Sequence, residues 1–272
     1  MASITLSAGV RSNLLQLQQT SDLITSTQTK LATGLRVNSA LDNPNNYFTA
    51  QGLNNRASDL SNLLDSMSSA INTIQAANNG ISAITKLVQS AQSLVSQAQQ
   101  TSDTTVRASL SSQFDSIRTQ IDKLAGDSGF NGINLLNGNN LTVTMNETGT
   151  STVTVNGVTD TSNGAALGIN GATNNWVAGS DITGASTQLT SALTALRSQA
   201  QTLGASLSTV QIRQDFTKAT INTLQTGAND LTLADSNQEG ANLLALQTRQ
   251  QLSTTALSLA SQADQNVLRL FQ

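Results

Sequence analysis

Neither cysteine nor histidine occurs anywhere in the 272 residues, and proline occurs once, at Pro44. Without cysteine there is no disulfide, no thiolate zinc site and no thiol nucleophile, and the redox compartment leaves no mark on the chain. Without histidine the commonest general base and the commonest metal ligand are both missing, and with them any Ser-His-Asp triad or H-E-x-x-H zinc helix. Charge is scarce as well: Asp, Glu, Lys and Arg make up 11% of the residues, where about 25% is ordinary. Ser, Thr, Asn and Gln stand in their places, giving a polar surface with little charge repulsion to oppose close self-packing. A net charge of −3 with no dense Lys/Arg run argues against a nucleic-acid partner. No window approaches the roughly 18 consecutive apolar residues of a membrane span. The amino terminus lacks a cationic region followed by an apolar run and a small-residue cleavage site, so export is expected to bypass the general signal peptide. No catalytic residue, cofactor site or metal site can be nominated, and an enzyme is not expected.

What is present is a seven-residue beat. Leu53, Leu60, Met67, Ile74, Ile81, Val88 and Val95 fall on it, and Leu63, Ala70, Ala77, Ile84, Ala91 and Ala98 form a second series. Alternating spacings of three and four over such a length predict a long helix committed to coiled-coil-like packing. A distant stripe matches it: Leu189, Leu193, Leu196, Ala200, Leu203, Leu207 and Val210, then Ile221, Leu224, Ala228 and Leu231. A shorter set, Val106, Leu110, Ile117, Ile121 and Leu124, predicts a third helix that turns back near "TSDTT", with Ser102 or Asp103 as its N-cap.

The ends repeat the beat more weakly. Val10, Leu17, Ile24 and Leu31 are spaced by seven, with Leu6 and Leu14 beside them. Near the carboxyl end Leu252, Ala256, Leu259, Ala263, Val267 and Leu270 alternate by four, three and four, and Phe271 follows. Isolated helices are marginal in water, so these amphipathic ends are expected to pair with each other, with other copies, or with both. A membrane-surface helix would carry Lys and Arg on its polar face, whereas these faces are mostly Ser, Thr, Gln and Asn.

Between Asn139 and Gly184 the helical period dissolves into Thr, Asn and Gly. "NLTVTM" and "STVTVNGV" alternate apolar and polar residues, which predicts a small β-hairpin across Glu147 to Gly149. Trp176 is expected to pack a small local core. In "TGLRVNSALDNPNNY" Gly34 can end the first helix, Asp42 or Asn43 can cap the next, and Pro44 suits its first turn. Arg36 and Asp42 could pair across this joint.

Four segments together resemble bacterial flagellin: "KLATGLRVNSALDNPNNYFTAQGLNNR" from Lys30, "INTIQAANNGISAI" from Ile71, "GFNGINLLNG" from Gly129, and "LADSNQEGANLLALQTRQQLSTTALSLASQADQNVLRLF" from Leu233. The likeness covers both flanks and leaves the Gly/Thr-rich middle unmatched. It implies a mainly α fold, a long coiled-coil-like rod built from the amino- and carboxyl-terminal segments with a small β-hairpin region in the middle. By the resemblance, residues 1–35 with 236–272 form the innermost terminal-helix domain, which folds together on polymerisation. Its inner-core residues would be Leu6, Val10, Leu14, Leu17, Ile24, Leu31, Leu252, Ala256, Leu259, Ala263, Val267, Leu270 and Phe271. Residues 36–138 with 185–235 form a helical shell domain packed through Leu53, Leu60, Met67, Ile74, Ile81, Val88, Val95, Leu189, Leu196, Leu203 and Val210. Residues 139–184 form a variable surface segment, and Arg36, Asn38 and Asp42 lie in the connector.

The implied function is that of a secreted structural subunit, self-assembled in many copies into the extracellular flagellar filament for swimming motility. The implied partners are other copies of itself, the flagellar type III export apparatus, a chaperone, and the hook-associated junction and cap proteins. Some flagellins carry a zinc peptidase in the variable insert, which a histidine-free insert under fifty residues long cannot build. Gln92 and Ser93 stand where flagellins recognised by the innate immune receptor resemble Arg and Glu, which implies weak recognition. A hook–filament junction protein, which shares the terminal helices, is the alternative reading. A coiled-coil adhesin is a third, and it would have no need of two terminal helices that meet.

Overall fold

A computed structural model describes residues 8–270, apart from the side chains of 264 and 267–270. Among the described residues five α-helices dominate: α1 (Ala8–Thr33), α2 (Pro44–Gln100), α3 (Thr104–Asp127), α4 (Gly179–Thr232) and α5 (Ser236–Leu270). Two strands, β1 (Leu141–Thr144) and β2 (Thr152–Val155), and a 3-10 turn at Thr173–Trp176 lie between α3 and α4. The fold is thus mainly α with a small antiparallel hairpin, the class the sequence predicts. The chain divides into two compact units, one drawn from the described parts of Met1–Asn55 and Thr223–Gln272, the other from Arg56–Asn222. Residues 139–184 lie within the second unit.

The second unit holds the hydrophobic core. Along α2 the side chains of Leu60, Met67, Ile74, Ile81, Val88 and Val95 are buried, and so are Ala70, Ala77, Ile84, Ala91 and Ala98 of the second series. Leu189, Leu196, Leu203 and Val210 of α4 are buried in the same cluster. Alternation of large and small residues lets such ridges interlock at native density. Asp103 caps α3, its carboxylate accepting from the Thr105 and Val106 N–H groups. Arg107 then donates to the Ala98 and Thr101 carbonyls, covering part of the unsatisfied carboxyl end of α2.

The core of α3 differs from the predicted stripe. Leu110, Phe114, Ile121 and Ala125 are buried, while Val106 is 44% exposed. Phe114 meets Trp176 with ring centroids 5.0 Å apart, so the tryptophan does pack a local core. The backbone around it is unusual: Asn174, Asn175 and Trp176 all have positive φ. Asparagine tolerates that region and tryptophan does not.

After α3, Asn131 and Gly132 turn the chain with positive φ, and Phe130 bridges Ile133. The buried Asn134 amide donates to the Ala125 and Gly126 carbonyls, and its oxygen accepts from the Leu136 N–H at 2.9 Å. One side chain therefore closes the carboxyl end of α3 and sets the next loop. In the hairpin Leu141 faces Val155 and Val143 faces Val153. Its inner face, Leu141, Val143, Met145 and Val155, is buried, as the alternation predicts, although Val158 falls beyond the strand.

Throughout the helices Ser and Thr hydroxyls donate to the carbonyl four residues back, as at Thr20, Thr25, Thr29 and Thr33 of α1. The chain has many such residues, and this bond lets them sit inside a helix without an outside partner.

Candidate functional site

The first unit is built differently. Its helices α1 and α5 pack against each other, and they run antiparallel, because Leu35 bridges Leu233 and Lys30 pairs with Glu239 at 3.7 Å. Val10 and Thr20 of α1 are buried along with Thr27, while Asn13, Leu17, Ile24 and Leu31 are half-buried. On α5 the half-buried positions between residues 241 and 263 are Leu243, Leu246, Gln250, Ser253, Leu257 and Ala260. Both sets follow the three-four spacing of a packed seam. The seam is thin: among the described residues of this unit only Val10, Val37, Ala50 and Ala228 are buried apolar side chains.

The amino-terminal heptad Val10, Leu17, Ile24 and Leu31 therefore lies on the seam, and Leu14 lies outside it, 39% exposed. The carboxyl-terminal stripe read from the sequence lies elsewhere. Leu252 and Leu259 are more than 60% exposed, and Ala256 and Ala263 are exposed with them. The reason is that α5 carries two apolar stripes with the same spacing, and the one through Leu243, Leu246 and Leu257 meets α1. Leu6 and Phe271 lie outside the described residues, as do the side chains of Val267 and Leu270.

At the joint, Gly34 takes φ +69° and ends α1 in the left-handed conformation that favours glycine. The Arg36 N–H donates to the Thr232 carbonyl at 2.7 Å, and the Ala234 N–H donates to that of Gly34 at 2.9 Å. Arg36 does not pair with Asp42. Its guanidinium donates to the Leu231 carbonyl at 3.2 Å, because helix α4 ends there with carbonyls in need of donors. Asn38 donates from its amide to the Leu35 carbonyl. Asn43 is the cap of α2, accepting from the Asn46 N–H at 3.0 Å, and Pro44 begins the helix. Leu53, on the next turns of α2, is half-buried and lies beside Gly227.

Asp42 instead closes the connector loop. One of its carboxylate oxygens accepts from the backbone N–H groups of Asn38 and Ser39 and from the Ser39 hydroxyl. The Ser39 and Asn38 N–H groups hold its carboxyl below the usual carboxylate value. A depressed folded value means the loop gains stability above the ordinary range and loses it as pH falls through the folded value. Asp42→Ala is expected to speed hydrogen exchange at the Asn38 and Ser39 amides at neutral pH, and acidified wild type should approach the variant. Unchanged exchange in the variant would show that the carboxylate does not hold the loop.

Among the described residues there is no cluster of three or more potential metal ligands, and no helix is long and apolar enough to cross a membrane. What the first unit offers is apolar surface on paired terminal helices.

Residues 8–141 match the bacterial flagellin N-terminal helical region and residues 186–271 the bacterial flagellin C-terminal helical region. A flagellin of Brucella melitensis biotype 1 is 29% identical over 285 residues, with 100% of both chains covered. Flagellin FljK of Caulobacter vibrioides is 33% identical over 177 residues, a match that spans 63% of this chain and 63% of FljK. The crystal structure of Bacillus cereus flagellin aligns with a TM-score of 0.47 and 21% identity, covering 57% of this chain and 88% of that one. With both helical regions matched in order on either side of the hairpin segment, the chain belongs to the bacterial flagellin family.

Proposed function

We propose that the chain is a subunit of the bacterial flagellar filament, a homopolymer that serves swimming motility, and that its terminal helices complete their folding only when copies assemble. Family membership supports the filament reading. The observation that carries the assembly reading is the first unit's thin seam set beside the exposed Leu14, Leu15, Leu23, Leu244, Leu252 and Leu259. Ordering backbone costs about 1 to 2 kcal/mol per residue, and a seam with Thr20, Thr27, Gln250 and Ser253 at its centre returns little of it. Neighbouring copies that cover the second stripe of α5 would supply the remainder. In this reading the inner-core set named from the sequence divides into two: Val10, Leu17, Ile24 and Leu31 pack within a subunit, while Leu252, Ala256, Leu259 and Ala263 pack between subunits. Residues 36–138 with 185–235 take the helical shell role in this reading, and Arg36, Asn38 and Asp42 hold the connector. Secretion to the outside through the flagellum's own export apparatus, with a chaperone, and contact with junction and cap proteins belong to the same proposal.

Electron microscopy of heat-dissociated full chain incubated with short filament seeds tests it, beside a variant ending before Ser253. Long regular growth from the full chain alone is the expected result. A blocked or ring-like end formed by the full chain would replace the filament reading with that of a junction protein. Growth by the shortened chain would show that the carboxyl-terminal helix is not needed for the core.

A further inference from the structure

Asp160 is fully buried, yet neither carboxylate oxygen has a hydrogen-bond partner. Its backbone N–H donates to the Leu136 carbonyl at 2.9 Å, which fixes the residue, and its side chain interacts with Gln199 of α4. The Gln199 side-chain oxygen is likewise buried without a partner. Three buried acceptor oxygens without a hydrogen bond are a costly arrangement, and the Gln199 amide N–H groups are the side-chain donors beside the carboxylate. A single proton on the Asp160 carboxyl relieves it, because the protonated group becomes a donor that Gln199 can accept.

The surroundings suit that proton. Between the segment and α4 lies a groove lined by Asn156, Val158 and Ala166 on one side and by Ala195, Gln199 and Leu203 on the other. From α4 the group opposite is an uncharged amide, and the turn at Leu136 offers backbone alone. The charged groups of α3 are engaged nearby: Arg118 with the Ile169 carbonyl, Asp115 and Asn163, Asp122 with Ser162, and Asp115 also with the Ala172 N–H. Residues 156–172 contain no other ionisable side chain. Burial pushes the Asp160 carboxyl up to about 6, opposed only by Gln199.

We propose that Asp160 and Gln199 form a proton-operated clasp that closes the 156–170 segment onto α4 in mildly acid conditions and releases it when the carboxyl ionises. The folded value lies above the ordinary 3.8, so the closed form's added stability is full below the ordinary value and is lost as pH rises through the folded one. Ionised Asp160 draws water into the groove and loosens the segment that carries it. The clasp acts within one chain and does not depend on assembly.

Hydrogen exchange on the full chain reads the segment directly, because the amides of Val158, Asp160, Gly168 and Ile169 are hydrogen-bonded to Leu135, Leu136, Gly164 and Ser162. Corrected for intrinsic rates, their protection is expected to fall by up to about 10-fold between about pH 5 and pH 8. In Asp160→Asn, which cannot ionise, protection is expected to stay level, and in Gln199→Glu the fall should move to higher pH. Wild-type protection that is level, or an Asp160→Asn variant that falls as wild type does, would overturn the clasp. Should Asp160→Asn fail to fold, side-chain carbon NMR of wild type gives the Asp160 midpoint itself, and a midpoint near the ordinary carboxylate value has the same consequence. Calcium that restores protection at about pH 8 in wild type would assign the three oxygens to a cation and overturn the proton.

Discussion

Phe114→Ala is expected to destabilise the second unit by about 3–5 kcal/mol. The ring is fully buried on α3 and is the aromatic partner of Trp176, itself 1% exposed. Removing it leaves a cavity and also releases a strained element. Asn174, Asn175 and Trp176 stand at φ of 46°, 50° and 58°, and a left-handed residue with a side chain costs about 1–2 kcal/mol. Packing against Phe114 opposes that strain, so the turn should relax once the ring is gone. Because Trp176 is the single tryptophan, urea unfolding followed by its fluorescence reports both effects. The expected record is a lower midpoint and an emission already shifted toward that of exposed tryptophan before the main transition. A variant with unchanged emission and midpoint would mean that Thr173–Trp176 is held by something other than the ring.

Gly80→Ala is the second large effect, and its sign is the test. In a helix interior alanine is ordinarily more favourable than glycine by roughly 0.5–1 kcal/mol, so a reading of α2 alone expects stabilisation. The structure expects loss. A Cβ at Gly80 would lie 2.6 Å from a methyl of Leu136 and closer still to the Ser128 hydroxyl. That hydroxyl cannot move away freely, since it donates to the Leu124 carbonyl at 2.6 Å. Overpacking of this kind costs about 1–3 kcal/mol. Gly204→Ala is the control, because a Cβ there meets nothing within 4 Å, and it should gain the ordinary helical increment. Thermal unfolding of both variants decides the matter: stabilisation of both would place the chain after α3 farther from α2 than the structure does.

The periodic parts of this chain could be read directly. Heptads from Leu60 to Val95 and from Leu189 to Val210 predict buried faces because side-chain direction follows from helix geometry alone, and those residues are buried. Gly34 and Pro44 mark helix ends for equally local reasons. One pattern can serve two faces of a helix. On α5 both stripes have the coiled-coil spacing, and only the structure distinguishes the one that meets α1. A stripe on α3 that starts from Val106, which faces water, leaves out Phe114, and charge alone pairs Arg36 with Asp42 where an unsatisfied helix end is the stronger acceptor. Asp160 could not have been found at all. Nothing beside it in the sequence tells of Gln199, 39 positions on, and a lone aspartate among Thr, Ser and Asn reads as solvated loop.

The back-bonded threonines of α1 have a consequence for how the terminal helices are matched. With its hydroxyl tied to the Gln16 carbonyl, Thr20 presents to α5 the outline of a valine. A seam of such outlines is read by shape and repeats every seven residues, so a slide of one helix past the other by a heptad meets almost the same relief. Lys30 and Glu239 do not repeat in this way, and they sit beside the joint where Leu35 bridges Leu233. The joint therefore acts as the index mark of a sliding scale: the zero is set there, and the smooth graduations beyond it follow.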